Sequence, residues 1–283
     1  MSTDRQSPSP ASTAWRGSSY ADPRAEREID EHLELVPYID LGVAFDHAAC
    51  LAEATALLGE FVPYQSDPRY GIRHWHGLAL RALDGDPTKA AVAPSPGTNQ
   101  DQRYATTPVA ERCPQTMALL RELLDWDQCR AVAFLALSPR SRIATHVDDP
   151  QHEVMRSLNV ALNMPAGCEF VIDCAPDGAA GPFTRTVPFR PGAAMVVNVA
   201  RQHYLVNDSD TVRIHVVARG PVRWPAARVL ELARAQNGLR DEETLRLALD
   251  ERYARLGRPS DHDPEPTRYQ RKRRNDPGAA PSY

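Results

Sequence analysis

The 283-residue sequence predicts a mainly β fold, a double-sheet jelly roll with flanking helices. Three observations predict it. From Ala131 to Arg219 the chain breaks into short apolar runs of strand length, split by Gly, Pro and Asp. On either side, the pattern changes to Ala- and Leu-rich stretches with helix caps. Hydrophobic residues make up 42% of the chain, enough for a real core, yet no apolar run approaches the length that spans a bilayer.

The elements follow in order. Residues 1–25 are rich in Ser, Pro and charge and are expected to be disordered. Asp46 to Glu60 predicts a helix, with Asp46 as its N-cap. Gly85 to Gln102 predicts a long loop of the kind that often covers a site. A second helix is expected from Gln115 to Trp126, with Met117, Leu120 and Leu124 as its apolar stripe. Strands are expected at 131–137, 157–163, 168–173, 183–189, 193–199, 203–206 and 211–218. The pair Pro191-Gly192 opens the fifth of these as a turn. Asn207-Asp208-Ser209-Asp210 predicts a tight turn that makes the last two strands an antiparallel pair. Helices at 226–236 and 241–256, separated by Gly238 and with Asp241 as an N-cap, would buttress the sheet or support a homodimer. The Pro-rich tail carries the basic run Arg271-Lys272-Arg273-Arg274 and predicts a solvated, disordered segment. The expected organisation is therefore 1–25 disordered, 26–224 the β domain with its N-terminal helices, 225–257 helical, and 258–283 a disordered basic tail.

A net charge of −4 argues against broad nucleic-acid binding. The first residues lack a signal-peptide hydrophobic region. Five cysteines without a C-x-x-C spacing predict reduced thiols in a cytoplasm, with no membrane partner.

The chemistry concentrates in two segments. His146 and Asp148 are two apart, so an extended chain would turn both toward one ligand. His203, after the apolar run 193–199, is the best third ligand. Two His and one carboxylate occupy one face of an octahedron and leave the other open, the facial triad of non-haem Fe(II) oxygenases. A structural zinc site would need a fourth protein ligand. Asp149 falls at the wrong parity and is better placed to cap the turn at Pro150. Arg213 lies ten residues after His203, and its guanidinium can grip a carboxylate through two hydrogen bonds. Its natural client is the distal carboxylate of 2-oxoglutarate. His215 shares the strand face of Arg213. His74 and His76 show ligand-like spacing but lack a carboxylate at matching parity. His152 reads as a solvated loop residue. Arg156, placed before the apolar strand that begins at Leu158, is the candidate partner for a substrate carboxylate.

These residues carry a resemblance. His203-Tyr-Leu-Val-Asn207 through Arg213-Ile-His215 resembles the distal motif of the aspartyl/asparaginyl β-hydroxylase-like family of 2-oxoglutarate dioxygenases. Trp75-His-Gly-Leu-Ala-Leu-Arg81 and Arg156-Ser-Leu-Asn-Val160 are similar to further segments of it, over roughly Pro63 to Trp224. The resemblance implies a cupin-like double-stranded β-helix, and Fe(II), 2-oxoglutarate and O2 as metal, co-substrate and oxidant. It implies metal ligands at His146, Asp148 and His203, and a co-substrate anchor at Arg213. The animal aspartyl hydroxylases lack the carboxylate ligand. Asp148 is present here, so the chain looks more like the bacterial free-proline hydroxylases, and a halogenase is disfavoured. The implied reaction is hydroxylation of an unactivated carbon of a small carboxylate-bearing molecule, most of all a free amino acid. Two other readings stand beside it. One is hydroxylation of a residue within a peptide. The other is a non-catalytic cupin-like binder, for which Arg213 would have no purpose.

Overall fold

Apolar strand runs joined by short turns dictate how the chain folds between Ala131 and Arg219, because each strand must bury a face against a second sheet. The computed structural model describes residues 22–64, 74–91, 103–148, 154–173, 184–239 and 241–255. In chain order the elements are α1 (Pro23–Leu35), β1 (Tyr38–Asp40), α2 (His47–Ala56), β2 (Val62–Pro63), β3 (Trp75–Leu83), β4 (Tyr104–Thr106), α3 (Pro108–Glu111) and α4 (Pro114–Leu123). The jelly-roll strands follow: β5 (Val132–Leu137), β6 (Ser141–His146), β7 (Arg156–Ala161), β8 (Cys168–Asp173), β9 (Thr184–Thr186), β10 (Ala194–Asn198), β11 (His203–Asn207) and β12 (Arg213–Ala218). Helices α5 (Ala226–Asn237) and α6 (Glu242–Arg255) close the described chain.

The major sheet runs β1-β10-β7-β12-β5-β3-β2, with β4 on β3, and the minor sheet runs β6-β11-β8-β9. All pairings are antiparallel, and β5 lies beside β12. Between β5 and β12 the chain thus passes back and forth between two facing sheets, with β8 and β9 staying together in the minor one, which is the double-stranded β-helix that the sequence predicts.

One expected pairing is different. His203–Val206 and Thr211–Ala218 do not form a hairpin. Strand β11 pairs with β6 and β8, whereas β12 pairs with β5 and β7. Turn chemistry at 207–210 reverses the chain but does not decide whether it stays in one sheet. Here it crosses between them. Buried Asn207 organises the crossing: its Nδ2 lies 3.0 Å from the carbonyls of Leu137 and Ser138 and 2.9 Å from that of Thr211.

Alternation along the strands divides the core. Leu158, Val160, Val196, Ile214 and Val216 pack outward under the helices. Leu137, Ile143, Phe170, Met195, Val197 and Leu205 fill the space between the sheets. Helix α1 begins at Pro23, inside the segment expected to lack structure, and Asp22 Oδ1 accepts from Ala25 N at 2.9 Å as its cap. It packs on α5 and α6. Asp46 caps α2 through Ala49 N at 2.9 Å, and Asp241 accepts from Thr244 N at 2.8 Å. Gly238 ends α5 with φ 71°, a left-handed conformation that suits glycine. Most of the expected 85–102 loop, the basic tail, Asp149 and His152 lie outside the described residues. Among the described residues, no helix is long and apolar enough to cross a membrane.

Candidate active site

Antiparallel register brings the first two ligand candidates together. His146 ends β6 directly opposite His203, which begins β11, and the ladder is irregular just after that pair. The two imidazole centroids are 4.2 Å apart. Each ring is oriented by its own chain: His146 Nδ1 lies 2.8 Å from Ala144 O, and His203 Nδ1 lies 2.8 Å from Arg201 O. A carbonyl can only accept, so both Nδ1 atoms carry the proton and both Nε2 lone pairs remain available to a metal. Phe170 stacks on His203 with its ring plane 5° away and its centroid at 5.3 Å.

Asp148 lies beyond the end of β6, so it is not held by strand alternation. Its N–H donates to Val199 O at 3.2 Å, which fixes it beside the histidines. His146 Nε2 is 3.4 Å from Asp148 Oδ1. One ligand atom from each of His146, Asp148 and His203 falls within 4.8 Å of the others. The donor set, two neutral-capable imidazoles and one carboxylate on one side, fits Fe(II). His76 lies in β3 against Pro63 and Ala136, and no such cluster forms around it among the described residues.

The electrostatics agree with metal binding. Burial pushes His203 down to about 4, so it is neutral near pH 7. Burial opposes charge on His146 too, but the hydrogen bond and charge of Asp148 outweigh it and raise its pKa. Burial would raise Asp148, yet the Arg219 guanidinium and the two histidines hold its carboxyl well below the usual range.

Arg219 is a site residue that the sequence expectations missed. Its Nη2 donates to Asp148 Oδ2, and its Nη1 lies 3.1 Å from the thioether of Met155. Positions 213, 215, 217 and 219 alternate onto one strand face, so parity alone could have found it. Tyr64 was missed as well. It stands 4.2 Å from Trp75, whose ring is 6.3 Å from His146. Burial pushes the Tyr64 phenol up to about 12.

Arg213 is buried in the sandwich interior. Its Nη2 is 3.1 Å from His215 Nδ1, and its Nε has no hydrogen-bond partner. Among the described residues, no carboxylate pairs with it. Burial pulls its pKa down to about 10. Burial, followed by the charge of Arg213, keeps His215 far below its ordinary value and therefore neutral. An edge-to-face chain of rings, His215–Phe189 at 4.9 Å and Phe189–Phe170 at 5.8 Å, joins this pair to the ring stacked on His203. A buried cation without an anion is costly, and a ligand carboxylate would complete it.

Arg156 does not join this group. It shares the outward face of β7 with Leu158 and Val160, under α1. Its Nη1 is 2.5 Å from Glu26 Oε2, its Nε is 2.7 Å from Asp30 Oδ1, and Nη2 donates to Glu26 O at 2.6 Å. Strand parity turns it from the substrate side, and its guanidinium is already matched by two carboxylates.

Comparison with known proteins adds the family. The sequence model of the aspartyl/asparaginyl β-hydroxylases matches residues 48–220. No curated protein sequence matches this chain significantly. An oxidoreductase of the 2OG-Fe(II) oxygenase family from Burkholderia pseudomallei is 16% identical, with a TM-score of 0.42 over 70% of this chain and 92% of that one. A prolyl-4-hydroxylase from Pseudomonas putida is 14% identical, with a TM-score of 0.39 over 67% and 95%. The α-ketoglutarate-dependent epimerase SnoN of nogalamycin biosynthesis is 18% identical, with a TM-score of 0.42 over 69% and 80%. With a match over more than half its length and a donor set suited to the metal, the chain belongs to the aspartyl/asparaginyl β-hydroxylase family of Fe(II)- and 2-oxoglutarate-dependent dioxygenases.

Proposed function

We propose that this dioxygenase hydroxylates a small carboxylate-bearing substrate, a free amino acid or a close derivative. In this reading His146, Asp148 and His203 hold Fe(II), and Arg213 anchors 2-oxoglutarate. The observation that carries it is the pairing of one His-Asp-His donor cluster with one buried guanidinium that no carboxylate among the described residues meets. When bound, the iron supplies oxidising chemistry from O2 at the expense of 2-oxoglutarate. The protein supplies everything else. The carbonyls of Ala144 and Arg201 keep the imidazoles pointed inward. Arg213 offers a planar fork to the distal carboxylate, and His215 shares the load as a neutral partner. Phe170 and Phe189 make an apolar wall that excludes water from the path between them.

The carboxylate at Asp148 supports a likeness in character to the free-proline hydroxylase branch. A cytoplasm, where iron(II) and 2-oxoglutarate are present, is the fitting compartment. The test is a screen of free amino acids with Fe(II), 2-oxoglutarate and O2. It is read by mass spectrometry for gain of one oxygen atom and by succinate release. One free amino acid should gain oxygen and accelerate succinate formation. Individual alanine replacements of His146, Asp148 and His203 should abolish both, since even outer-sphere losses cost about 10–100-fold. Hydroxylation of an internal peptide residue, with no free amino acid accepted, would replace this reading with a peptidyl hydroxylase.

A further inference from the structure

Arg213 and His215 share the interior face of β12, and the chain around them holds both still. Asn163 clamps the backbone on either side of Arg213: its Nδ2 donates to Val212 O at 2.8 Å, and its Oδ1 accepts from Ile214 N at 2.7 Å. The flanking ladders put Leu137 beside Arg213, and Leu135 and Ala161 beside His215. Phe189 meets the His215 ring at 74°. These neighbours are apolar, so a charge here counts for more than it would in water.

The contact between the two side chains runs one way. A guanidinium carries five N–H donors and no acceptor. At 3.1 Å, Arg213 Nη2 therefore donates and His215 Nδ1 accepts. The imidazole proton then sits on Nε2, and the ring is uncharged by geometry. The Asn163 carbonyl acts on the ring, but no acceptor meets Nε2 in hydrogen-bonding geometry. The other ionisable group that acts on Arg213 is Cys168, a thiol that burial keeps protonated. Among the described residues, Arg213 thus has an oriented fork and no counter-charge.

We propose that His215 is the positioning residue of the co-substrate anchor, an uncharged acceptor that fixes the Arg213 guanidinium and leaves its charge for the distal carboxylate. The inference rests on the reading of Arg213 as that anchor. An acid at position 215 would orient the guanidinium equally well, but it would cancel the charge, and an incoming carboxylate would meet a finished ion pair. An apolar residue would leave the charge and free the fork to turn, so that binding would have to order it. Imidazole in this tautomer avoids both penalties. The pair is complete without a metal ion.

The experiment reads binding and melting rather than turnover. Calorimetry on the full-length chain with Mn(II) measures the Kd of 2-oxoglutarate and of 2-oxopentanoate, which lacks the distal carboxylate. Melting temperatures are taken on the same proteins without metal or ligand. Asn and Asp place Oδ1 where histidine places Nδ1, and they differ from each other mainly in charge. His215→Asn should bind 2-oxoglutarate nearly as wild type does. His215→Leu should raise Kd by roughly 10-fold or more, the worth of a hydrogen bond to a charged group. His215→Asp should raise it by roughly 30-fold or more and erase the preference for 2-oxoglutarate over 2-oxopentanoate. Yet His215→Asp should melt no lower than His215→Asn, because it pairs the buried cation. Joint loss of stability and affinity in His215→Asp would mark a merely structural role and overturn the proposal. Equal 2-oxoglutarate affinity in the Asn and Asp variants would overturn it too, as would wild-type affinity in His215→Leu. Should His215→Leu fail to fold, the Asn and Asp variants decide alone. Arg213→Met separates the two levels: wild-type 2-oxoglutarate affinity there would remove the anchor reading itself, whereas loss there with full affinity in His215→Asp would remove only the role of His215.

Discussion

The two faces of the major sheet each bury an arginine and treat it in opposite ways. On the helix face, Arg156 meets Glu26, Asp30 and a backbone carbonyl. On the interior face, Arg213 meets a neutral histidine and no carboxylate among the described residues. Burial alone therefore says little about what a charged side chain does. Compensation separates the cases. A cation whose counter-charges come from its own chain is part of the architecture. A cation left short of them is a place for a ligand. The comparison assigns α1 a purpose as well, since it brings the carboxylates of Glu26 and Asp30 to the sheet.

The sharpest way to break this contrast is to remove the compensated arginine. Arg156→Ala should strand the buried Glu26 carboxylate and destabilise the protein by about 3–5 kcal/mol, the usual cost of breaking a buried pair from one side. Urea unfolding would measure it. The midpoint should fall, while 2-oxoglutarate affinity of the remaining folded protein should not. A normal unfolding midpoint with a lost substrate response would return Arg156 to the site.

Removing the uncompensated arginine should do the reverse. Arg213→Ala should weaken 2-oxoglutarate binding by about 2–5 kcal/mol, and Arg213→Lys should lose part of this because it lacks the fork. Without co-substrate, Arg213→Met should unfold no earlier than wild type, and a later transition is expected, since it deletes a desolvated charge with no anion beside it. Added 2-oxoglutarate should then raise the melting temperature of wild type but not of the variant. If Arg213→Met proved as destabilising as Arg156→Ala, the contrast between the two faces would collapse.

The candidate site is legible where spacing carries chemistry. His146, Asp148 and His203 announce themselves by residue type and order, and the strands around them by apolar runs. What failed was assignment to a face. The position of Arg156 before a strand suggests a place at the substrate mouth. Yet Leu158 and Val160 share its parity and belong under the helices, so the signal that turns it outward was present. Arg219 was hidden for the same reason, as was the crossing of β11 and β12 between sheets, because residues specify a turn more readily than its destination. Helix α1 carries seven charged residues among its thirteen, Arg24, Glu26, Arg27, Glu28, Asp30, Glu31 and Glu34. Such a composition hides an amphipathic helix whose buried side includes Glu26 and Glu28, each of them matched by an arginine from elsewhere in the fold.

The smallest predicted effect probes a residue that belongs to neither side of the contrast. Asn207 is uncharged and fully buried, yet it touches the turns that lead into both β6 and β12. Its Oδ1 accepts from Ser209 Oγ at 2.6 Å and from Cys168 Sγ at 3.0 Å. Asn207→Ala would leave these groups and the carbonyls of Leu137 and Thr211 short of partners, at a cost of about 1–3 kcal/mol of stability. Thr211 lies two residues before Arg213, so the same change should also loosen the guanidinium and weaken 2-oxoglutarate binding, by less than Arg213→Ala does. Denaturation and co-substrate titration on one protein sample would read both quantities. Loss of stability with unchanged 2-oxoglutarate affinity would show that β5 and β7 hold Arg213 in place without help from the crossing. Loss of both would tie the crossing to co-substrate binding, and would place architecture and ligand binding on one uncharged side chain of the minor sheet.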